Sequence, residues 1–262
     1  MNMRSTFARL LLASLSGLAV ACSGDAADTT PPATPTASAG KKVDAATAGS
    51  ITGRVQFEGT VPPAEMIRMS SDRNCIADGQ STRPSDALLV DDGRGVGNTF
   101  VYVKEGLDPS YTFEAPATPV VLDQKGCFYT PRVVGVRVGQ PMDIVNSDPT
   151  MHNVHALPMV NQEFNHGQPK QDMRLTKTFT APEVMVRFKC DVHSWMAAWV
   201  GVMAHPYFAV TAPSGEFTIP NLPAGTYTLE TWNEKLGTKT MQVTVAPGQS
   251  QTAAFTMAIA PK

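Results

Sequence analysis

Along residues 51–58 apolar and polar positions alternate, with Ile51, Gly53, Val55 and Phe57 interleaved with Thr52, Arg54, Gln56 and Glu58. A period of two puts one row of side chains on each face of an extended chain, so the pattern predicts a half-buried strand. The alternation returns at 184–190, where Val184, Val186, Phe188 and Cys190 interleave with Met185, Arg187 and Lys189. At 131–138, Val134, Val136 and Val138 share a face. Shorter β-rich runs lie at 99–103, 142–145, 217–219, 226–232, 240–245 and 253–257. Turn chemistry separates them at Gly139-Gln140-Pro141, Pro213-Ser214-Gly215, Pro223-Ala224-Gly225 and Pro247-Gly248. Short strands at this spacing predict an all-β chain built as sandwiches.

Composition narrows the function classes. Hydrophobic residues make up 42% of the 262, enough for a packed core, so global disorder is excluded. The 20 Gly and 21 Pro leave little room for long helices. A formal net charge of −2 argues against a nucleic-acid binder, which needs a basic face for phosphates. The chain lacks a nucleophile elbow, a zinc-protease helix motif and a phosphate-binding loop, so it is not expected to be an enzyme. Acids such as Asp91, Asp92 and Asp148 fall in Gly- or Pro-rich turns and are expected to be solvated.

The N-terminus reads as an address. Arg4 and Arg9 precede an apolar run from Leu10 to Val20, too short to span a bilayer comfortably, as in a secretory signal peptide over residues 1–21. Leu18-Ala19-Val20-Ala21-Cys22 resembles a bacterial lipobox, which implies lipidation of Cys22. By the same resemblance, Ser23 after the Cys implies an outer-membrane anchor, with the protein facing the periplasm or the cell surface. Residues 22–49 are rich in Thr, Pro and Ala with almost nothing bulky and apolar. Such a segment buries too little surface to offset its ordering entropy and is expected to be a disordered linker.

The C-terminal stretch from Ser214 to Leu229, with Gly215-Glu216-Phe217 and Leu222-Pro223-Ala224-Gly225-Thr226-Tyr227, resembles the carboxypeptidase regulatory-like domain. That resemblance implies a small transthyretin-like sandwich, used for scaffolding or binding, that opens with a strand like Ile51–Val55. The opening and closing strands lie far apart in sequence, so the middle of the chain is either inserted into that sandwich or set in series with it.

The chemistry is concentrated in Cys190-Asp191-Val192-His193-Ser194-Trp195-Met196, at the end of a predicted strand. Thiolate, imidazole and thioether within seven residues suit copper in both oxidation states, since blue copper sites join two His, a Cys and a weak axial Met. The second imidazole has to come from elsewhere, and Met151-His152-Asn153-Val154-His155 offers it. If that segment is extended, His152 and His155 point to opposite faces, so one of them serves. His166 and His205 are expected in turns, and Trp199, Met142 and Met203 in the core.

Together these motifs resemble the cupredoxins, type 1 blue copper proteins. The short Cys-x2-His-x2-Met spacing and the His-Asn-Val-His run are those of the amicyanin branch, whereas most relatives, such as plastocyanin, have a longer gap to the Met. The resemblance implies a Greek-key sandwich and one copper ion held by His152, Cys190 and His193, with Met196 axial. It further implies that Asn153 braces the Cys190 loop. Met151, Val192 and Ser194 stand where that family carries prolines, which puts the stiffness of the ligand loop in question. With Cys190 given to copper and Cys22 to lipid, Cys75 and Cys127 are left as a disulfide; the alternative pairs Cys190 with one of them. Trp195 either shields the metal, forms an apolar docking patch or packs.

The expected order is therefore a signal peptide (1–21), a linker (22–49), the first part of the regulatory-like sandwich (50–105), a cupredoxin-like copper domain (106–205) and the rest of the sandwich (206–262). The expected function is single-electron transfer by a lipid-anchored protein between redox partners such as a c-type cytochrome or a dehydrogenase. A copper carrier or sensor, and an adhesion or scaffold lipoprotein with a structural copper, are the other readings.

Overall fold

The computed structural model describes residues 40–76 and 79–260. The expected signal peptide, Cys22 and the linker as far as residue 39 lie outside the described residues. All regular structure described is strand, apart from one turn of 3₁₀ helix at Arg73–Cys75. The chain is all-β.

The alternation at 51–57 becomes the strand Gly49–Phe57, whose Ile51, Val55 and Phe57 are buried. Its neighbours come from the other end of the chain. It pairs antiparallel with Glu216–Leu222 and parallel with Ser250–Met257, in register from Ser50↔Ser250 to Phe57↔Met257. A second sheet runs in the order Phe208–Val210, Phe100–Glu105, Gly225–Asn233, Gly237–Val245. Ile51, Val55, Val101, Ile219, Leu229 and Phe255 fill the space between the two sheets. Both ends of the chain thus build one sandwich.

The residues between build another. A five-stranded sheet runs Phe164–Gln168, His152–Leu157, Glu183–Lys189, Ala197–Met203, Val133–Arg137, with the last pair parallel. A four-stranded sheet runs Arg174–Lys177, Met142–Asn146, Val120–Gln124, Tyr129–Thr130. Their shared core includes Leu122, Ile144, Val154, Val186, Phe188 and Val200. The inward-facing residues of the two sheets make this two-layer core, and strands such as Ala197–Met203 are buried on both faces.

The two sandwiches meet at Phe100, Tyr102, Val133 and Met203. Here the five-stranded sheet needs glycine. A Cβ on Gly201 would fall 2.5 Å from the Phe100 ring, and one on Gly135 would fall 2.2 Å from Phe208.

Two expectations change. Residues 40–49, placed in the linker by composition, are hydrogen-bonded: Lys41 N–H donates to Ser110 O (2.8 Å), Thr112 N–H to Lys41 O (3.1 Å), and Gly49 already starts the first strand. Backbone pairing at Lys41 and the packing of Val43 against the first core hold them. Second, residues 50–105 do not all serve the first sandwich. The hairpin Met66–Arg68/Thr82–Pro84 and the 3₁₀ turn between its strands reach the other one, where Met69 and Cys75 are buried in its core.

Candidate metal centre

The strands Glu183–Lys189 and Ala197–Met203 are antiparallel, and the Lys189↔Ala197 pair closes them around the loop 190–196. Within the loop, Cys190 N–H donates to Met196 O (3.3 Å) and Met196 N–H to His193 O (2.9 Å). The loop is therefore wound into a tight ring with Cys190, His193 and Met196 all facing in. Exposure of these three residues is 2%, 1% and 0%. His152 opens the adjacent strand His152–Leu157 and is 0% exposed. Val154 and Ala156 follow it inward, while His155 turns outward to Asp191 and Glu163, at 2.9 Å from each.

The imidazoles of His152 and His193 stand at 66° to each other with their Nδ1 atoms 3.0 Å apart. The Cys190 thiol lies 3.8 Å from His193 Nδ1, and donor atoms of His152, Cys190 and His193 all lie within 4.8 Å of one another. Each outer ring nitrogen meets a carboxylate: His152 Nε2 is 2.9 Å from Asp148 Oδ2, and His193 Nε2 is 3.1 Å from Asp72 Oδ2. A neutral imidazole has one N–H, and a carboxylate only accepts. Both rings therefore spend their N–H outward, leaving two Nδ1 lone pairs aimed at each other. That juxtaposition is favourable only with a positive centre between them, either a proton on one ring or a metal ion bound by both. The residues thus fit a soft metal ion bound by Nδ1, Nδ1 and Sγ, with the second-sphere carboxylates that orient ligating histidines elsewhere.

Asp148 corrects an expectation. Its turn suggested solvent, yet it is buried. The reason is a turn on a neighbouring hairpin. Gly126 and Cys127 adopt left-handed conformations (φ 61° and 57°), the geometry of a tight two-residue turn, and their N–H groups donate to Asp148 Oδ1 and Oδ2 at 2.7 and 2.8 Å. Asn146 pins the same loop by donating to Thr150 O, Gln168 O and Lys170 O. Asp72 also was not singled out from the sequence. It caps the 3₁₀ turn, accepting from Asn74 N–H at 2.8 Å, and accepts from Thr150 Oγ1 at 2.8 Å.

The electrostatics agree with a cation pocket. Burial disfavours a charged His152, but its hydrogen bonds to Asp148 and Cys190 outweigh that and raise it to about 9. Burial likewise opposes the Cys190 thiolate, yet hydrogen bonds from His152 and His193 pull the thiol down to about 6. Without metal the pocket attracts a proton to nitrogen and keeps sulfur anionic, the form that ligates. Asp148 itself is held below the usual carboxylate range; burial opposes this, but the donors around it prevail.

Cys75 and Cys127 form a disulfide across 52 residues, tying the 3₁₀ turn to the strand region near Phe128, and Cys190 is free and buried. Asn153 braces the loop 190–196: its Oδ1 accepts from Asp191 N–H at 2.5 Å. The half-buried Trp195 donates to Cys127 O at 3.0 Å, with its ring 5.2 Å from that of His193. Met142 and Met203 are core residues. His166, expected in a turn, is exposed on the strand Phe164–Gln168.

Residues 201–258 match the carboxypeptidase regulatory-like domain family. The chain is also similar to cupredoxins of solved structure. A purple cupredoxin from Nitrosopumilus maritimus matches at 19% identity and TM-score 0.28, over 32% of this chain and 98% of that one. An amicyanin variant in its Cu(I) form matches at 20% identity and TM-score 0.30, over 40% and 99%. A copper-containing nitrite reductase from Thermus scotoductus matches at 23% identity and TM-score 0.29 over 37% of this chain, which spans 27% of that enzyme's length. No curated protein matches the chain.

Proposed function

We propose that this chain is a lipid-anchored copper protein that carries single electrons between redox partners outside the cytoplasm. The observation that carries the reading is the pair of Nδ1 atoms 3.0 Å apart beside a buried thiol, each ring fixed from behind by a carboxylate. His152, Cys190 and His193 would hold the ion, with Met196 closing the loop beside them. Copper bound there supplies one-electron exchange between Cu(I) and Cu(II). The chain's part is to hold the ligands still. Asp148 and Asp72 fix the ring orientations, Asn153 fixes the backbone after Cys190, and the packed core excludes water. A donor set locked this way need not rearrange when the charge on the ion changes, which keeps electron exchange fast.

Burial favours this reading over copper carriage. With every proposed ligand 2% exposed or less, handing the ion to a partner requires the loop to open. An electron needs only proximity. The partner is proposed to be a protein such as a c-type cytochrome or a dehydrogenase, and the anchor Cys22 at the outer membrane. No catalytic role is assigned.

The test is a visible absorption spectrum of the full chain loaded with Cu(II), then treated with ascorbate and reoxidised. A strong thiolate-to-copper band that bleaches and returns is expected. A colourless protein that still binds copper would favour carriage. Absence of binding would refute the copper reading and leave a scaffold.

A further inference from the structure

Resting on the copper reading, we propose that the segment 69–76 is a clasp over the metal centre, with Asp72 as the positioning residue that locks His193 and closes its outer edge. The ligand loop holds His193 by one backbone hydrogen bond, from Met196 N–H to its carbonyl. Val192 and Ser194 flank it, and neither restricts the backbone as a proline does. Restraint arrives instead from 121 residues earlier in the chain. Asp72 Oδ2 meets His193 Nε2 at 3.1 Å, and the Cys75 sulfur lies 3.5 Å from the same nitrogen. The ring edge that would face outward is therefore enclosed, and His193 is 1% exposed.

Three further contacts make the clasp specific. The same Asp72 oxygen accepts from Thr150 Oγ1 at 2.8 Å, two residues before His152, so one carboxylate touches both ligand-bearing segments. Cys75 N–H donates to Asp72 O at 3.1 Å, joining the carboxylate's backbone to the disulfide. At the other end of that disulfide, Cys127 N–H donates to Asp148, the carboxylate behind His152. One covalent bond thus spans the two residues that orient the two rings. Asp72 does two separable things: it accepts the His193 N–H, and it puts a negative charge one imidazole away from the ion. The first holds the ligand in place, and the second favours the oxidised, more positive ion. With this edge covered, a redox partner does not reach the ion through exposed His193.

The experiment compares wild-type full chain with Asp72→Asn, Asp72→Ala and Asp72→Glu. Asn keeps an acceptor but removes the charge, Ala removes both, and Glu restores charge and acceptor on a longer arm. Exchange of the His193 Nε2 proton with solvent is read by NMR on metal-free protein. Reduction potential and the rate of Cu(I) transfer to bicinchoninate are read on loaded protein. The expected result is a slowly exchanging proton in the wild type that becomes fast in Asp72→Ala, with Cu(I) transfer at least tenfold faster. Asp72→Asn should raise the potential with a smaller change in transfer rate, and Asp72→Glu should lie nearer the wild type. An Asp72→Ala protein that matches the wild type in proton exchange overturns the clasp, as does an Asp72→Asn protein with an unchanged potential. A wild-type chain that takes up no copper refutes the copper reading instead, and the metal-free exchange measurement still decides the clasp.

Discussion

Replacing Asp148 by Asn changes one oxygen to an amide nitrogen and little else in shape. The native carboxylate accepts three hydrogen bonds: from Gly126 N–H at 2.7 Å on one oxygen, and from Cys127 N–H at 2.8 Å and His152 Nε2–H at 2.9 Å on the other. An Asn has only one acceptor oxygen. Whichever way the amide turns, its NH2 faces at least one donor. Turned toward Gly126, it orphans that N–H and weakens the other two bonds by loss of charge. Turned the other way, it orphans both Cys127 N–H and His152. A hydrogen bond to a charged group contributes about 1.5–3 kcal/mol, so the metal-free protein should lose roughly 2–3 kcal/mol. The metal site should suffer separately. Without a carboxylate behind it, the Nε2–H of His152 loses the charged acceptor that fixes the ring and offsets the ion's charge. Loss of such an outer partner typically weakens metal binding by about 10–100-fold. Urea denaturation of metal-free protein and competition for Cu(I) against a chelator read the two effects independently. A variant within about 0.5 kcal/mol and twofold of the wild type would show that the Asp148–His152 contact carries neither, and the argument for two outward-facing N–H groups would fall.

Other outcomes follow from the same geometry. Cys190→Ser should abolish the thiolate-to-copper band while leaving the cooperative melt of the metal-free chain in place; a retained band would remove the thiolate from the site. Converting both Cys75 and Cys127 to Ser frees a loop of 52 residues, and chain-entropy arithmetic puts the cost at about 4 kcal/mol in a denaturant titration; a loss under about 1 kcal/mol would contradict it. Gly201→Ala drives a methyl to 2.5 Å from the Phe100 ring, so overpacking where the sandwiches meet should cost about 1–3 kcal/mol, read from the midpoint of unfolding. Metal affinity should rise with pH, because the ion displaces a proton from His152, raised to about 9 in the metal-free protein, and the gain should level off above that value. Proton release on loading, followed with a pH dye at neutral pH, tests this; release of none would refute it.

Strand alternation was legible because it is a property of adjacent residues. Ile51, Val55 and Phe57 point inward whatever they pack against, and Val186 and Phe188 follow the same rule in the run 183–189. Strands without a clean pattern, such as Arg174–Lys177 and the hairpin at 66–84, gave no such signal. Both are exposed on much of their surface, so burial never selected an apolar row. The linker expectation erred at 40–49 for a related reason. Composition averages over the segment, whereas Lys41 pairs through its backbone with Ser110 and Thr112 and the single Val43 packs against the sandwich core.

The candidate site divides the same way. The sequence by itself determined the candidate ligand loop, because a strand ending in Cys-x2-His-x2-Met returns on itself over seven residues. A period of two sends His152 and His155 to opposite faces, so only one could serve, and the resemblance to the cupredoxins pointed to His152. Only the tertiary structure decided what stands behind those ligands. Asp148 became buried because Gly126 and Cys127 turn their N–H groups toward it, and Asp72 reaches His193 across 121 residues through a turn held by Cys75. Only the fold, too, set the opening strand between Glu216–Leu222 and Ser250–Met257. Spacing along the chain fixes which groups can share a loop or a face. Which acceptor meets a given N–H depends on strand pairings between distant segments, and those are set by the packing of whole sheets.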